Sequence, residues 1–175
     1  MMLILVRHPK PLVAPGICYG STDLVVAPEQ LEQTLAALRL PAGLPVYSSP
    51  LRRCATLASR LSAAPIYDAR LAEMHFGDWE MQPWDAIPRA GIDAWAADMA
   101  NYRPGGGENV LRMAERISAF YHALPQDDAI IVCHAGSIRL LTACHAGLAP
   151  AQMALQAAQA AHQIGYGATV ILPSR

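Results

Sequence analysis

The sequence predicts an α/β fold, a three-layer α/β sandwich built on a mostly parallel sheet. Three observations carry that expectation. Apolar runs at 2–6 and 129–133 stop at Arg7-His8 and at His134-Ala135-Gly136, as buried strands do when they deliver reactive side chains to their C-terminal edge. Segments with apolar residues at helical spacing lie between the strand-like runs. Strands and helices alternate with no internal repeat, low-complexity tract or linker, so one domain spanning 1–175 is expected.

Residues 2–6 form the first strand. The stretch 9–27 contains Pro9, Pro11, Pro15, Gly16 and Gly20 and reads as a loop over the site. Leu31, Leu35 and Leu38 then recur at the spacing of one buried helix face. A short strand at 45–48 is followed by Ser49-Pro50, which has N-cap and N1 chemistry for a helix carrying Leu51, Ala55, Ala58 and Leu61. A third strand is expected at 66–68. The irregular segment 72–81 is dense in chemistry, with Glu73, His75, Asp78, Trp79 and Glu80. Short helices are expected within 84–99. Pro104-Gly105-Gly106-Gly107 breaks the chain before an amphipathic helix carrying Val110, Met113, Ala114, Ile117, Phe120 and Tyr121. A strand at 129–133, a helix after Gly136, an Ala-rich helix at 151–161 and a last strand at 168–172 complete the order.

Composition narrows the classes. With 53% hydrophobic and 15% charged residues a compact core is easy to build, which excludes disorder. A formal net charge of -1 leaves no footprint for nucleic acid or an anionic membrane. No apolar run approaches the roughly 18 residues of a membrane span, and the first run lacks a basic leader. Cys18, Cys54, Cys133 and Cys144 show no CxxC pairing, as expected of reduced, mostly buried thiols in a cytoplasmic protein. The histidines show neither HxH nor HxxxH spacing and there is no Asp cluster, so no metal or other cofactor is expected. The triple glycine is not a Walker loop, because no Gly-Lys-Ser/Thr follows it. No homo-oligomer is supported; the Ala-rich helix can pack on the sheet or on a neighbour.

Arg7, His8, Arg53 and His134 together suit a dianionic phosphoryl group. Arginine offers paired donors to its oxygens, and an imidazole can act as the nucleophile in a two-step transfer. Arg52 and Arg53 both sit in the first turn of a helix that follows a strand, where free N–H groups favour an anion. The plain reading of Arg52 is a solvated helix face. A leaving alkoxide needs a proton, for which Glu73 is the first candidate and Glu108, at a helix start, the second. His122, His145 and His162 read as structural. A rival uses Cys133 and Arg139, spaced with a glycine between strand and helix as in cysteine-dependent phosphatases. It lacks a histidine before the cysteine, since position 132 is Val132, and leaves Arg7-His8 unexplained.

The segments Leu5-Val6-Arg7-His8, Tyr47-Ser48-Ser49-Pro50-Leu51-Arg52-Arg53-Cys54, Leu71-Ala72-Glu73-Met74-His75-Phe76-Gly77-Asp78-Trp79-Glu80, Gly106-Gly107-Glu108 and Val132-Cys133-His134-Ala135-Gly136 follow one another at plausible spacing. Together they resemble the histidine phosphatase superfamily, the phosphoglycerate-mutase-like phosphatases, over nearly the whole chain. The resemblance implies a phosphoglycerate mutase-like α/β/α sandwich with a mixed six-stranded sheet, one strand antiparallel. It implies a metal-independent phosphomonoesterase working through phosphohistidine, without cofactor, on a small phosphorylated metabolite with inorganic phosphate as product. By position, the nucleophile falls on His8, the phosphate-binding arginines on Arg7 and Arg53, the second histidine on His134 and the general acid/base on Glu73. The pattern selects Arg53 over Arg52.

The chain departs from the pattern at Pro9, Pro11, the pair Ala14-Pro15, Met81 and Asn109. Ser21 or Thr22 is the expected source of the missing phosphate-binding hydroxyl. The short length and Gly16-Ile17-Cys18-Tyr19-Gly20-Ser21-Thr22-Asp23 resemble the α-ribazole phosphatase group of cobalamin biosynthesis, which implies α-ribazole 5′-phosphate as substrate. A broad-specificity small-molecule phosphatase and a catalytically weak phosphate-binding module, the latter favoured by the prolines around His8, are the alternatives. The long insertion of the mutases is hard to fit into 175 residues.

Overall fold

In a computed structural model, which describes residues 1–159 and 164–174, the first apolar run becomes β1 (Leu3–Arg7) and the second β4 (Ala129–Cys133). They pair in parallel, from Leu3 opposite Ala129 to Arg7 opposite Cys133. The register places the next residues, His8 and His134, side by side beyond the strand ends. The sheet is completed by β2 (Val46–Ser48), β3 (Ile66–Tyr67) and β5 (Thr169–Leu172), in the order β3-β2-β4-β1-β5. Only β5 runs antiparallel, against β1.

The side-chain period of two explains the layers. From β1 and β4, Ile4, Val6, Ile130 and Val132 join Cys54, Leu57 and Ala58 of α2 (Arg52–Leu61) and Leu31 of α1 (Pro28–Ala37). Their neighbours Leu3, Leu5, Ile131 and Cys133 belong to the core with α4 (Val110–Ala123), α5 (Ala135–His145) and α6 (Pro150–Gln159). Both faces of the central strands are therefore covered, which is why they read as continuous apolar runs. A smaller cluster of Cys18, Trp79 and Ile87 anchors the first loop to the segment before α3 (Arg89–Ala97).

The expectations need three corrections. The five strands read from apolar runs form the sheet; the sixth implied by the resemblance is not among the described residues. Ser49 and Pro50 precede α2 rather than open it, and the first helical N–H, that of Arg52, is capped from outside by the Asp23 carboxylate at 2.7 Å. The Ala-rich helix is described to Gln159, and its expected continuation to 161, like His162, lies outside the described residues. Among the described residues no helix is long and apolar enough to cross a membrane.

Candidate functional site

His8 and His134 meet where β1 and β4 end, their ring centroids 5.1 Å apart. Both are almost wholly buried, His8 at 2% exposure and His134 at 0%. His8 Nδ1 donates to the Pro9 carbonyl at 2.7 Å, because a carbonyl can only accept. Burial, and then the charges of Arg53 and Arg7, lower its pKa from 6.5 to about 3 against the opposing pull of that carbonyl. The ring is thus neutral with its proton on Nδ1, which leaves the Nε2 lone pair free. Pro9, a departure from the resemblance, fixes this tautomer through its oxygen.

His134 holds the opposite tautomer. Arg53 Nε donates to its Nδ1 at 3.3 Å, so Nε2 carries the proton and donates to Ser49 Oγ at 2.9 Å. Burial, His8 and Arg53 hold its pKa well below the ordinary value. Ser49 therefore serves the site rather than a helix cap.

Arg53 is fully buried, because α2 turns its side chain inward toward the first loop. Its remaining nitrogens donate to the carbonyl of Thr22 at 2.7 Å and to that of Gly20. Arg52, one residue earlier, faces outward and pairs with Asp23 at 3.3 Å. Arg7 donates to the Ile164 carbonyl and lies 3.9 Å from the centroid of the Tyr166 ring. Its Nε is buried without a partner, a donor left over for an oxyanion.

Glu73 arrives from the loop after the helical turn Ala69–Leu71. Its carboxylate accepts the N–H of Met74 at 3.0 Å and the N–H of Gly136, two residues after His134, at 3.2 Å. A β-carbon at Gly136 would stand 2.4 Å from Glu73 Oε1, so only glycine lets the carboxylate sit there. Glu108, the second candidate, is instead tied to Arg116 by two bonds of 2.7 and 2.8 Å.

Two residues organise the site without having been singled out for it. Glu80 accepts the N–H groups of Gly20, Ser21, Thr22 and Phe76 between 2.9 and 3.2 Å, and also the Thr22 hydroxyl. Burial alone would raise its pKa, but these bonds outweigh it and hold the carboxyl below the usual range. Tyr166 covers Arg7, and its hydroxyl meets that of Tyr19 at 2.7 Å. The density of side chains at 72–81 was the signal for Glu80. Tyr166 had none beyond its place between Gly165 and Gly167.

The hydroxyl expected from Ser21 or Thr22 is placed differently. That of Thr22 is committed to Glu80, while Ser21 lines a polar groove beside Glu73. The cysteine rival is overturned: Cys133 is fully buried in the α4–α6 core, out of reach of a substrate, and burial pushes its thiol pKa up, against the thiolate. Arg139 donates to the carbonyls of Ala135 and Ala157 instead of forming an anion cradle with it. His145, bonded to Tyr121 and to the Pro173 carbonyl, and His122, bonded to the Ser118 carbonyl, lie away from the site. No group of three or more His, Cys, Asp or Glu among the described residues could hold a metal ion.

Fold and site together define an α/β/α protein with two neutral histidines and two arginines converging at the C-terminal edge of a mixed sheet. The family model for the histidine phosphatase superfamily (branch 1) matches residues 3–164, and the chain belongs to that superfamily. It is similar to a glucosyl-3-phosphoglycerate phosphatase of Mycolicibacterium vanbaalenii, 32% identical over 169 residues, covering 83% of this chain and 74% of the relative. A crystal structure of a phosphoglycerate mutase from Thermus thermophilus superimposes with a TM-score of 0.75 at 26% identity, covering 98% of this chain and 92% of that one. The native structure of a mycobacterial glucosyl-3-phosphoglycerate phosphatase gives 0.70 at 26% identity, covering 88% and 83%. The chain is a phosphatase, a hydrolase that acts on a small phosphorylated substrate and releases phosphate.

Proposed function

We propose that this phosphatase is a metal-independent phosphomonoesterase in which His8 is the nucleophile. The supporting observation is the neutral imidazole of His8, proton on Nδ1, facing His134 at 5.1 Å between two arginines. His8 Nε2 attacks phosphorus in line; the N–P bond forms as the bond to the alcohol oxygen breaks. Arg7 and Arg53 hold the equatorial oxygens, joined by His134 as its Nε2–H turns from Ser49 to the phosphoryl group, and Glu73 gives a proton to the departing oxygen. A water then gives its proton to Glu73 and its oxygen to phosphorus, releasing phosphate and restoring His8.

The test is acid quench after mixing with a phosphomonoester. An acid-labile, base-stable phosphoryl group should appear on His8 and be absent from His8→Ala, while Cys133→Ser leaves it in place. Full turnover by His8→Ala ends the proposal. The departures at Pro9 and Pro11 favour a second reading, a phosphate-binding module of little catalytic power, which measurable phosphate binding without phosphoryl-enzyme would support.

For the substrate, the segment 16–23 favours α-ribazole 5′-phosphate and a place in cobalamin biosynthesis. The 32% identical relative points instead to a phosphoglycerate derivative. A phosphometabolite panel containing both, scored by kcat/KM, separates them; comparable rates across the panel would support a broad-specificity enzyme.

A further inference from the structure

Resting on the reading of His8 and Glu73 above, we propose that the leaving group of the substrate carries an apolar, ring-sized moiety, bound in a partly open chamber lined by Trp95. In-line attack by His8 expels the alcohol toward Glu73, so its carbon skeleton must occupy a space that Glu73 lines. Among the described residues, two such spaces stand out. One is a chamber of about 190 Å³ bounded by Glu73, Gly136 and Tyr19 at the site and by Phe76, Trp95 and Val110 beyond it. The other is an open polar groove whose lining includes Ser21, Glu73, Arg103, Glu108 and Arg116.

The groove is poorly suited to an apolar leaving group. Arg116 is bound to Glu108 and to the carbonyls of Arg70 and Ala72, and Arg103 is bound to the carbonyls of Gly106 and Gly107. Those nitrogens are engaged within the protein and Glu108 adds a negative charge of its own, while Arg112 also lines the groove; open and polar, it gives an apolar leaving group nothing to bury against. The chamber is the reverse. Phe76 packs edge-on against Trp95 at 5.7 Å, and Trp84 stacks on Trp95 with an interplanar angle of 2°. These contacts fix the wall as a rigid aromatic surface. The rest of the lining is mainly apolar, with Met99, Met113 and Leu140, and its polar members are Glu73, Tyr19 and Arg139. An apolar cavity of roughly 150 Å³ takes benzene, so this volume fits one ring. A sugar-acid skeleton would leave its hydroxyls facing hydrocarbon.

The experiment compares 2-phenylethyl phosphate, glycerol 3-phosphate and 3-phosphoglycerate, all alkyl esters of similar intrinsic reactivity. The phenylethyl ester should show a kcat/KM about tenfold or more above the others, as burial of one ring predicts. In Trp95→Ala that preference should collapse toward unity, while Trp95→Phe keeps most of it. Met99→Lys, which puts a charge into the chamber lining, should also depress the phenylethyl ester selectively. Equal or better turnover of glycerol 3-phosphate or 3-phosphoglycerate by the unaltered enzyme overturns the chamber assignment while leaving His8 chemistry standing. An unchanged preference in both Trp95→Ala and Met99→Lys does the same. Absence of phosphoryl-enzyme with all three esters instead overturns the reading of His8, and the chamber falls with it.

Discussion

The hydroxyls of Tyr19 and Tyr166 lie 2.7 Å apart, joining the first loop to the turn before β5 directly over the buried histidines. Each ring also covers an arginine: Tyr166 at 3.9 Å from Arg7 and Tyr19 at 5.5 Å from Arg53. His8 is 2% exposed, and its ring lies 5.7 Å from that of Tyr166. The Tyr166 ring has the larger effect of the two contacts, because it holds Arg7 with its partnerless Nε poised for an oxyanion. Tyr166→Leu is expected to weaken inhibition by inorganic phosphate about 3- to 30-fold, the scale of a cation–π contact. Tyr166→Phe, which loses only a partly exposed hydroxyl bond, should stay within about twofold. Phosphate inhibition constants for the two variants check both outcomes.

Gly136 and Glu73 are coupled by close approach. A methyl group at Gly136 would stand 2.4 Å from the carboxylate and must displace it. General acid catalysis contributes about 10²- to 10⁴-fold, most of it where the leaving oxygen is strongly basic. Gly136→Ala should therefore lower kcat at least about 100-fold on alkyl phosphates and far less on 4-nitrophenyl phosphate, whose leaving group needs no proton. Glu73→Gln should reproduce the pattern. Equal losses on both ester classes would place Glu73 outside the proton transfer.

The parts of this site that were legible in the sequence are those that local chain geometry determines. Arg7-His8 and His134 stand at the ends of apolar runs, and parallel pairing of β1 with β4 is enough to set them side by side. Arg53 needed the family pattern, because Arg52 and Arg53 look alike until the rotation of α2 sends one outward to Asp23 and the other into the core. Glu80 was visible only as a member of a crowded segment. Its role depends on a loop 58 to 60 residues earlier, and no spacing rule reaches that far. Asp23 as the cap of α2 and Ser49 as the partner of His134 escaped for the same reason. The tight backbone contact of Gly77 with Gly105 and Gly107, together with the left-handed φ of 73° at Gly106, explains why the chain carries three glycines there.

Glu80 ties down the carbonyls that hold Arg53. Its carboxylate accepts from Gly20, Ser21 and Thr22, and the Gly20 and Thr22 carbonyls in turn accept from the guanidinium. Replacing the charge by an amide removes charge-assisted bonds worth about 1.5–3 kcal/mol and leaves buried N–H groups short of acceptors. Glu80→Gln is expected to lower Tm by about 4–10 °C and to weaken phosphate binding through Arg53. Scanning calorimetry with and without phosphate checks both: the stabilisation by phosphate should shrink in the variant, whereas a purely structural loss would leave it intact.

Two neutral histidines in one buried site make acid stability a report on the site. In the folded protein His8 stays unprotonated down to about 3, against 6.5 for an unhindered ring, and His134 is shifted in the same direction. Below pH 6.5 the unfolded chain therefore binds protons that the native state refuses. The stability these rings contribute is complete above 6.5 and is lost progressively as pH falls toward 3. Once the unfolded state is protonated, His8 accounts for about 1.4 kcal/mol per pH unit within that window, and His134 adds in the same direction. Against a total stability of about 5–15 kcal/mol, a slope of that size is a sizeable part of the acid limb. His8→Gln should flatten the acid limb by about 1.4 kcal/mol per pH unit in urea unfolding measured from pH 7 to 4, whatever it does to stability at neutral pH. An unchanged slope would mean that His8 is protonated in the folded protein and cannot present a free lone pair to phosphorus.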